Sequence, residues 1–154
     1  MITAWRIVKA KYAETAFDGE SAAIAGGRWN SQGNRVIYTS ESAALATLEL
    51  LVHMGRSRSL QEYLIFSCSF SETLVDDFDT TQLPDNWRTF PGPPSLKVLG
   101  DQWIANQSSA ILRVPSVVIE TDSNYLLNPA HRDFKHVTIS PGQRFELDLR
   151  LLPQ

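Results

Sequence analysis

The run Gly26-Gly27-Arg28-Trp29-Asn30-Ser31 is the part of this sequence best suited to hold an anion. Glycine lets a backbone approach a ligand closely, and the planar arginine fork matches two phosphate oxygens at once. A turn whose Trp29 packs inward and whose Arg28 makes an ion pair would use the same residues, and composition alone favours that plainer reading. Tyr38 ends an expected strand, where core packing with a satisfied hydroxyl is the default. Glu49 falls in an expected helix, a carboxylate that can steady positive charge if it faces a cleft rather than water. Ser108 and Ser109 precede another strand and are equally explained as polar residues at a helix end. No one of these signals is specific; the combination carries the weight.

Several other chemistries lack their residues. The chain has no P-loop, no G-x-G-x-x-G, no G-x-S-x-G and no H-E-x-x-H. Its histidines, His53, His131 and His136, are scattered, and Cys68 is the single cysteine, so neither a zinc spacing nor an internal disulfide is expected. Cys68 lies in the apolar run Leu64-Ile65-Phe66-Ser67-Cys68 and is expected to be buried and inert. The 154 residues suit one domain, taken as 1–154, and a net charge of −3 argues against a broad nucleic-acid surface. That charge and the lack of a histidine pair also weaken a ribonuclease reading. The N-terminus lacks a signal peptide's pattern, and no apolar run approaches the roughly 20 residues that span a bilayer. A soluble cytoplasmic protein without a metal is the expectation, and a single cysteine fits a reducing compartment.

The elements that must position these residues read as a mixed α+β domain rather than repeated βαβ units. Loose alternation predicts a strand over 2–9, a long loop with at most one helical turn over 17–33, and a short strand over 35–39. Ser40 is the expected N-cap of a helix running to Met54 and stopped by Gly55. Its buried stripe should hold Ala44, Leu45, Leu48, Leu51 and Val52, with Glu49 on the flank. A strand over 62–70 follows, with residues 73–78 pairing to it, then an irregular proline-rich connection over 79–94. A helix capped by Ser95 should reach Gln107. Strands are expected at 110–114 and 117–119, broken by Pro115, then a loop through Asn128-Pro129, and strands near 135–139 and 145–151.

Taken in order, Trp5-Arg6, Gly27-Arg28-Trp29-Asn30, Tyr38-Thr39-Ser40, Ala44-Leu45-Ala46-Thr47-Leu48-Glu49, Trp103, Ser108-Ser109-Ala110-Ile111-Leu112-Arg113-Val114-Pro115-Ser116 and Leu127-Asn128-Pro129-Ala130-His131-Arg132-Asp133-Phe134 resemble the RES-domain toxins of Xre–RES toxin–antitoxin systems. The resemblance spans most of the chain. It implies an ADP-ribosyltransferase-like fold around a cleft that binds NAD, which is consumed by hydrolysis or phosphorolysis; some relatives instead ADP-ribosylate a protein. By position, Arg28 matches the family arginine, Tyr38 the tyrosine and Glu49 the glutamate, while the serine is Ser109 or, one place off, Ser108. Arg6 and Asn30 join Arg28, Tyr38 and Ser109 as expected dinucleotide contacts. The implied partner is an Xre-type antitoxin, with self-association of the toxin also open.

The nicotinamide–ribose bond breaks through a transition state with oxocarbenium character, so a nearby carboxylate lowers its barrier. Glu49 would supply that charge or orient the nucleophile, Arg28 would hold pyrophosphate or an attacking phosphate, Tyr38 would flank the nicotinamide ring, and Ser109 would bond its amide. A non-catalytic module that grips a partner through Arg28-Trp29-Asn30 is the reading from another class.

Overall fold

Alternating inward positions along Ile2–Lys9 (β1) and Tyr63–Phe70 (β3) produce two long strands, paired antiparallel from Ile2 opposite Phe70 to Lys9 opposite Tyr63. They are the longest strands of the sheet in the computed structural model, which describes residues 1–55 and 61–153. The remaining strands are Ile37–Ser40 (β2), Val75–Asp77 (β4), Ile111–Pro115 (β5), Ser123–Leu127 (β6), Thr138–Ile139 (β7) and Gln143–Phe145 (β8). Their order is β4-β5-β6-β2-β1-β3-β7, with β8 also on β3, and only the β4–β5 pair is parallel. Among the described residues three α-helices accompany it: Glu20–Ala25 (α1), Ala43–Met54 (α2) and Pro94–Asn106 (α3). The fold is α+β, as the sequence implies. No helix among the described residues is long and apolar enough to cross a membrane.

Strand parity splits the core between the two faces. Ala4, Ile37, Cys68, Phe70, Ile111 and Leu127 cluster on one side. Trp29, Val36, Leu96, Trp103, Leu112 and Leu126 cluster on the other, under α3. Each fully buried Leu or Ile contributes on the order of 2 kcal/mol by leaving water. Cys68 sits in the first cluster, and burial pushes its thiol up to about 12. It is inert packing.

Four expectations are corrected here. The α2 cap is Ser42, whose Oγ accepts from the Leu45 amide, rather than Ser40, which still belongs to β2. In the expected stripe, Leu45 is buried along with Ala46, Leu48 and Leu51 are half-buried, and Ala44 and Val52 are exposed. Residues 75–77 pair with β5 in parallel, not with β3. Finally, residues 117–119 form a turn, and the strand lies instead at β6, which the sequence presents as a loop because Asp122, Ser123 and Asn124 are turn formers. β5 and β6 make a hairpin in which Val114 faces Asn124, and the Ser116 amide closes it onto the Asp122 carbonyl at 2.9 Å. Towards the C-terminus, 3-10 turns take Arg132–His136 and Leu149–Leu151, leaving β7 and β8 short.

Candidate active site

The segment that carries Arg28 is pinned from beneath. Trp29 is buried edge-on to Phe78, 5.0 Å between ring centres, as the plainer reading supposed. Asn30 is wholly buried: its Nδ2 donates to the carbonyls of Ala22 and Asn34 at 2.8 and 3.1 Å, and its Oδ1 accepts from the Tyr38 hydroxyl at 2.6 Å. The Tyr38 oxygen in turn accepts from the Trp29 amide at 3.0 Å. Gly27 makes this possible, because a Cβ there would lie 2.6 Å from the Tyr38 hydroxyl. On α3, Asp101 accepts from the Ser31 amide and from Asn34 Nδ2, and Lys97 donates to the Gly27 carbonyl. Burial raises the Tyr38 phenol, with Asp101 adding to the rise, while the Trp29 hydrogen bond and Arg28 oppose it. Tyr38 and Asn30 therefore hold the loop itself.

The Arg28 side chain is gripped from above. Its Nη1 donates to the carbonyls of Trp87 and Thr89, both at 2.9 Å, which uses both of that nitrogen's protons. Among the described residues nothing accepts from its Nε or Nη2, the edge that can take two oxyanion lone pairs side by side. Desolvation lowers the Arg28 pKa, and the negative charge of Glu49 is the largest influence opposing it. Arginine and glutamate thus share one electrostatic neighbourhood.

Glu49 reaches across from α2 to the β5–β6 hairpin. Its Oε1 accepts from Ser116 Oγ at 2.8 Å and from Asn124 Nδ2 at 2.9 Å. Ser116 is fully buried, and its oxygen also accepts from the amides of Val118 and Ile119 at 3.0 and 3.1 Å. With both lone pairs engaged, its proton has only Glu49 to serve. Oε2 has no donor among the described residues. The amide orientation of Asn124 follows from the carboxylate beside it, and its Oδ1 is left buried without a donor. An orphaned acceptor there is where a ligand's N–H or O–H fits.

The structure does not bring every expected residue to this place. Ser109 accepts from the Trp103 indole at 2.9 Å and donates to the Ile111 carbonyl at 2.8 Å, a buried anchor. It stands at the opposite end of β5 from Ser116, about 20 Å of extended chain away. Ser108 is exposed, and the two serines edge a separate hollow of about 400 Å³ beside His131 and Asp76. Arg6 donates to the Ala16 and Tyr38 carbonyls and lies on the sheet face opposite the Tyr38 ring, since Trp5 is the β1 residue paired with Ser40. Desolvation pulls its guanidinium down to about 10.

The RES domain family matches residues 3–149. This chain belongs to that family. As a RES domain it is 37% identical over 131 residues to "Toxin Res" of Yersinia enterocolitica, covering 85% of this chain and 86% of the relative. It is 34% identical over 153 residues to the "Prs ADP-ribosylating toxin" of Sphingobium sp., covering 96% and 95%. Its fold is similar to that in the M. tuberculosis MbcT–MbcA toxin–antitoxin complex, with a TM-score of 0.78 at 15% identity over 94% of this chain and 84% of that one. In this RES domain, Ser116 and Asn124 are the two side chains that hold Glu49, and neither stands out in the sequence. Ser116 stands at the end of a quoted block whose serine doublet drew attention first, and Asn124 was hidden in an expected loop.

Proposed function

We propose that this RES domain is the toxin of a toxin–antitoxin pair and that it breaks the nicotinamide–ribose bond of NAD. The observation that carries the reading is that Arg28 keeps Nε and Nη2 unused while its Nη1 is held by the Trp87 and Thr89 carbonyls, and Glu49 keeps Oε2 unused while its Oε1 is held by Ser116 and Asn124. Pyrophosphate, or an attacking phosphate, suits the guanidinium edge. Ribose hydroxyls and the carboxamide carry donors that suit Asn124 Oδ1.

In that arrangement the C1′–N bond breaks with its electron pair leaving on nicotinamide. Glu49, held in place before reaction by Ser116 and Asn124, stabilises the positive charge left on the ribose, and because its donors are already oriented, little reorganisation is needed. A water or phosphate oxygen then bonds to C1′, and with water the displaced proton passes to Glu49 or solvent. Tyr38 contributes through the loop it fastens, alongside any stacking of its ring on nicotinamide. The printed names of the relatives support the toxin reading, and the Sphingobium name favours a second outcome, transfer of ADP-ribose to a protein. An Xre-type antitoxin covering the cleft is the proposed restraint, with a homodimer as the other assembly in view.

Product analysis by mass spectrometry decides among these. Antitoxin-free protein is mixed with NAD, with and without phosphate. Free ADP-ribose marks hydrolysis, ADP-ribose-1″-phosphate marks phosphorolysis, and a labelled macromolecule in lysate marks transfer. Intact NAD in every arm defeats the reading.

A further inference from the structure

The two halves of the site, Arg28 and Glu49, come from distant parts of the chain, and one short segment touches Arg28 and the residue that follows Glu49's donor Ser116. The Trp87 and Thr89 carbonyls take the two Nη1 protons of Arg28. Between them, Arg88 turns outward, and its Nε and Nη2 both donate to the Val117 carbonyl at 3.0 and 2.9 Å. Val117 directly follows Ser116, the residue that grips Glu49. Gly92 closes the far side: a Cβ there would fall 2.8 Å from Arg28 Nη1 and 3.3 Å from its Cζ. The segment has its own fastenings. Thr89 Oγ1 donates to the Asn86 carbonyl at 2.9 Å, and Trp87 packs against the cluster containing Trp29 and Leu96.

We propose that residues 87–92 are a strap that sets the separation between Arg28 and Glu49, with Arg88 and Gly92 as positioning residues for the cleavage reaction. The inference rests on the reading of the site as NAD-cleaving. The Arg88–Glu120 ion pair at 3.2 Å is exposed on both sides, where such pairs contribute little. The working contact is therefore the neutral carbonyl of Val117, which an arginine fork can grip with two donors and a lysine with one.

The test measures nicotinamide release against NAD concentration, with a melting temperature for each variant. Arg88→Met should lose about tenfold in kcat/KM, through both constants, because misplacement on the order of 1 Å at a reacting pair is costly. Arg88→Lys should recover part of that loss, and Glu120→Ala should match the wild type. Gly92→Ala moves only the end of a flexible side chain, so it should fold normally and raise KM several-fold with kcat little changed, a split that general destabilisation does not produce. If Arg88→Met does not fold, Gly92→Ala decides the matter alone. Wild-type constants in Gly92→Ala, or in a folded Arg88→Met, overturn the strap, as does a loss in Glu120→Ala equal to that in Arg88→Met. Arg28→Ala separates the two levels. If it raises KM while the strap variants do not, the site's reading stands and the strap is gone; if it too is unchanged, both fall.

Discussion

Replacing Gly100 with alanine should disturb the site from below without removing any polar group. Gly100 lies in α3 directly under Trp29, so near that an added Cβ would overlap the Trp29 carbonyl oxygen and stand 2.7 Å from its carbon. What it meets is backbone, pinned on its other side by Tyr38 and Asn30, so the strain has no flexible side chain to absorb it. Alanine gains about 1 kcal/mol over glycine inside a helix. Overpacking a tight contact costs about 1–3 kcal/mol, and a backbone clash belongs at or above the upper end. The net loss is about 2 kcal/mol, which for a chain of this size lowers Tm by about 4–8 °C. Because Arg28 adjoins Trp29, KM for NAD should rise in the same variant. Thermal unfolding followed by circular dichroism, with steady-state nicotinamide release on the same preparation, reads both effects. An unchanged or higher Tm with wild-type KM would refute the packing argument outright.

Three further outcomes follow from the same contacts. Glu49→Gln keeps the shape and removes the charge, so turnover should drop by at least 100-fold while Tm stays close to wild type; full activity in the purified variant excludes Glu49 from the reaction. Ser116→Ala strands the Val118 and Ile119 amides and frees Glu49, so it should cost about 1–2 kcal/mol and most of kcat, whereas Ser109→Ala should cost comparable stability by stranding the Trp103 indole yet leave activity per folded molecule intact. Equal kcat losses in the two would place the working serine in doubt. Asp101 gives the acid dependence: desolvation opposes its charge, but the Ser31 and Asn34 donors and Lys97 prevail and hold its carboxyl below the usual 3.8. A depressed folded-state pKa means the stabilisation is complete above 3.8 and fades as pH falls below it, so the Tm gap between wild type and Asp101→Asn should be present at pH 7 and shrink on acidification. A gap independent of pH contradicts this.

How much of this could be read from the chain depended on whether a residue's neighbours came from nearby in sequence. Helical spacing alone puts Glu49 on the flank of its helix, and that flank is what brings it within reach of Ser116 and Asn124. The cap was harder: Ser40 is still paired in β2, and the Oγ that reaches the Leu45 amide is that of Ser42, after the strand has ended. β6 was illegible because its first residues, Ser123 and Asn124, belong to a turn vocabulary, and pairing between β5 and β2 overrode their local preference. Ser109 and Ser116 bracket the same strand, and nothing in their local composition says which end meets α2. Arg6 and Asn30 are polar and near the loop, yet both donate chiefly to backbone carbonyls, with Asn30 Oδ1 taken up by the Tyr38 hydroxyl. Only the folded chain distinguishes gripping a ligand from gripping the backbone.

That both donors to Glu49 stand on one hairpin gives loop length a role that residue identity does not have. Ser116 and Asn124 meet the carboxylate together because Val114 faces Asn124 in register and the Ser116 amide closes on Asp122. A shift of one residue between these strands would turn Asn124 to the opposite face of the sheet. Insertions after Ile119 that preserve the pairing and leave the Val117 carbonyl and the Val118 and Ile119 amides in place should be harmless, and those that displace the register should silence the protein with Glu49, Ser116 and Asn124 all still present. An inactive homologue could thus carry an intact set of signature residues, its lesion written in spacing.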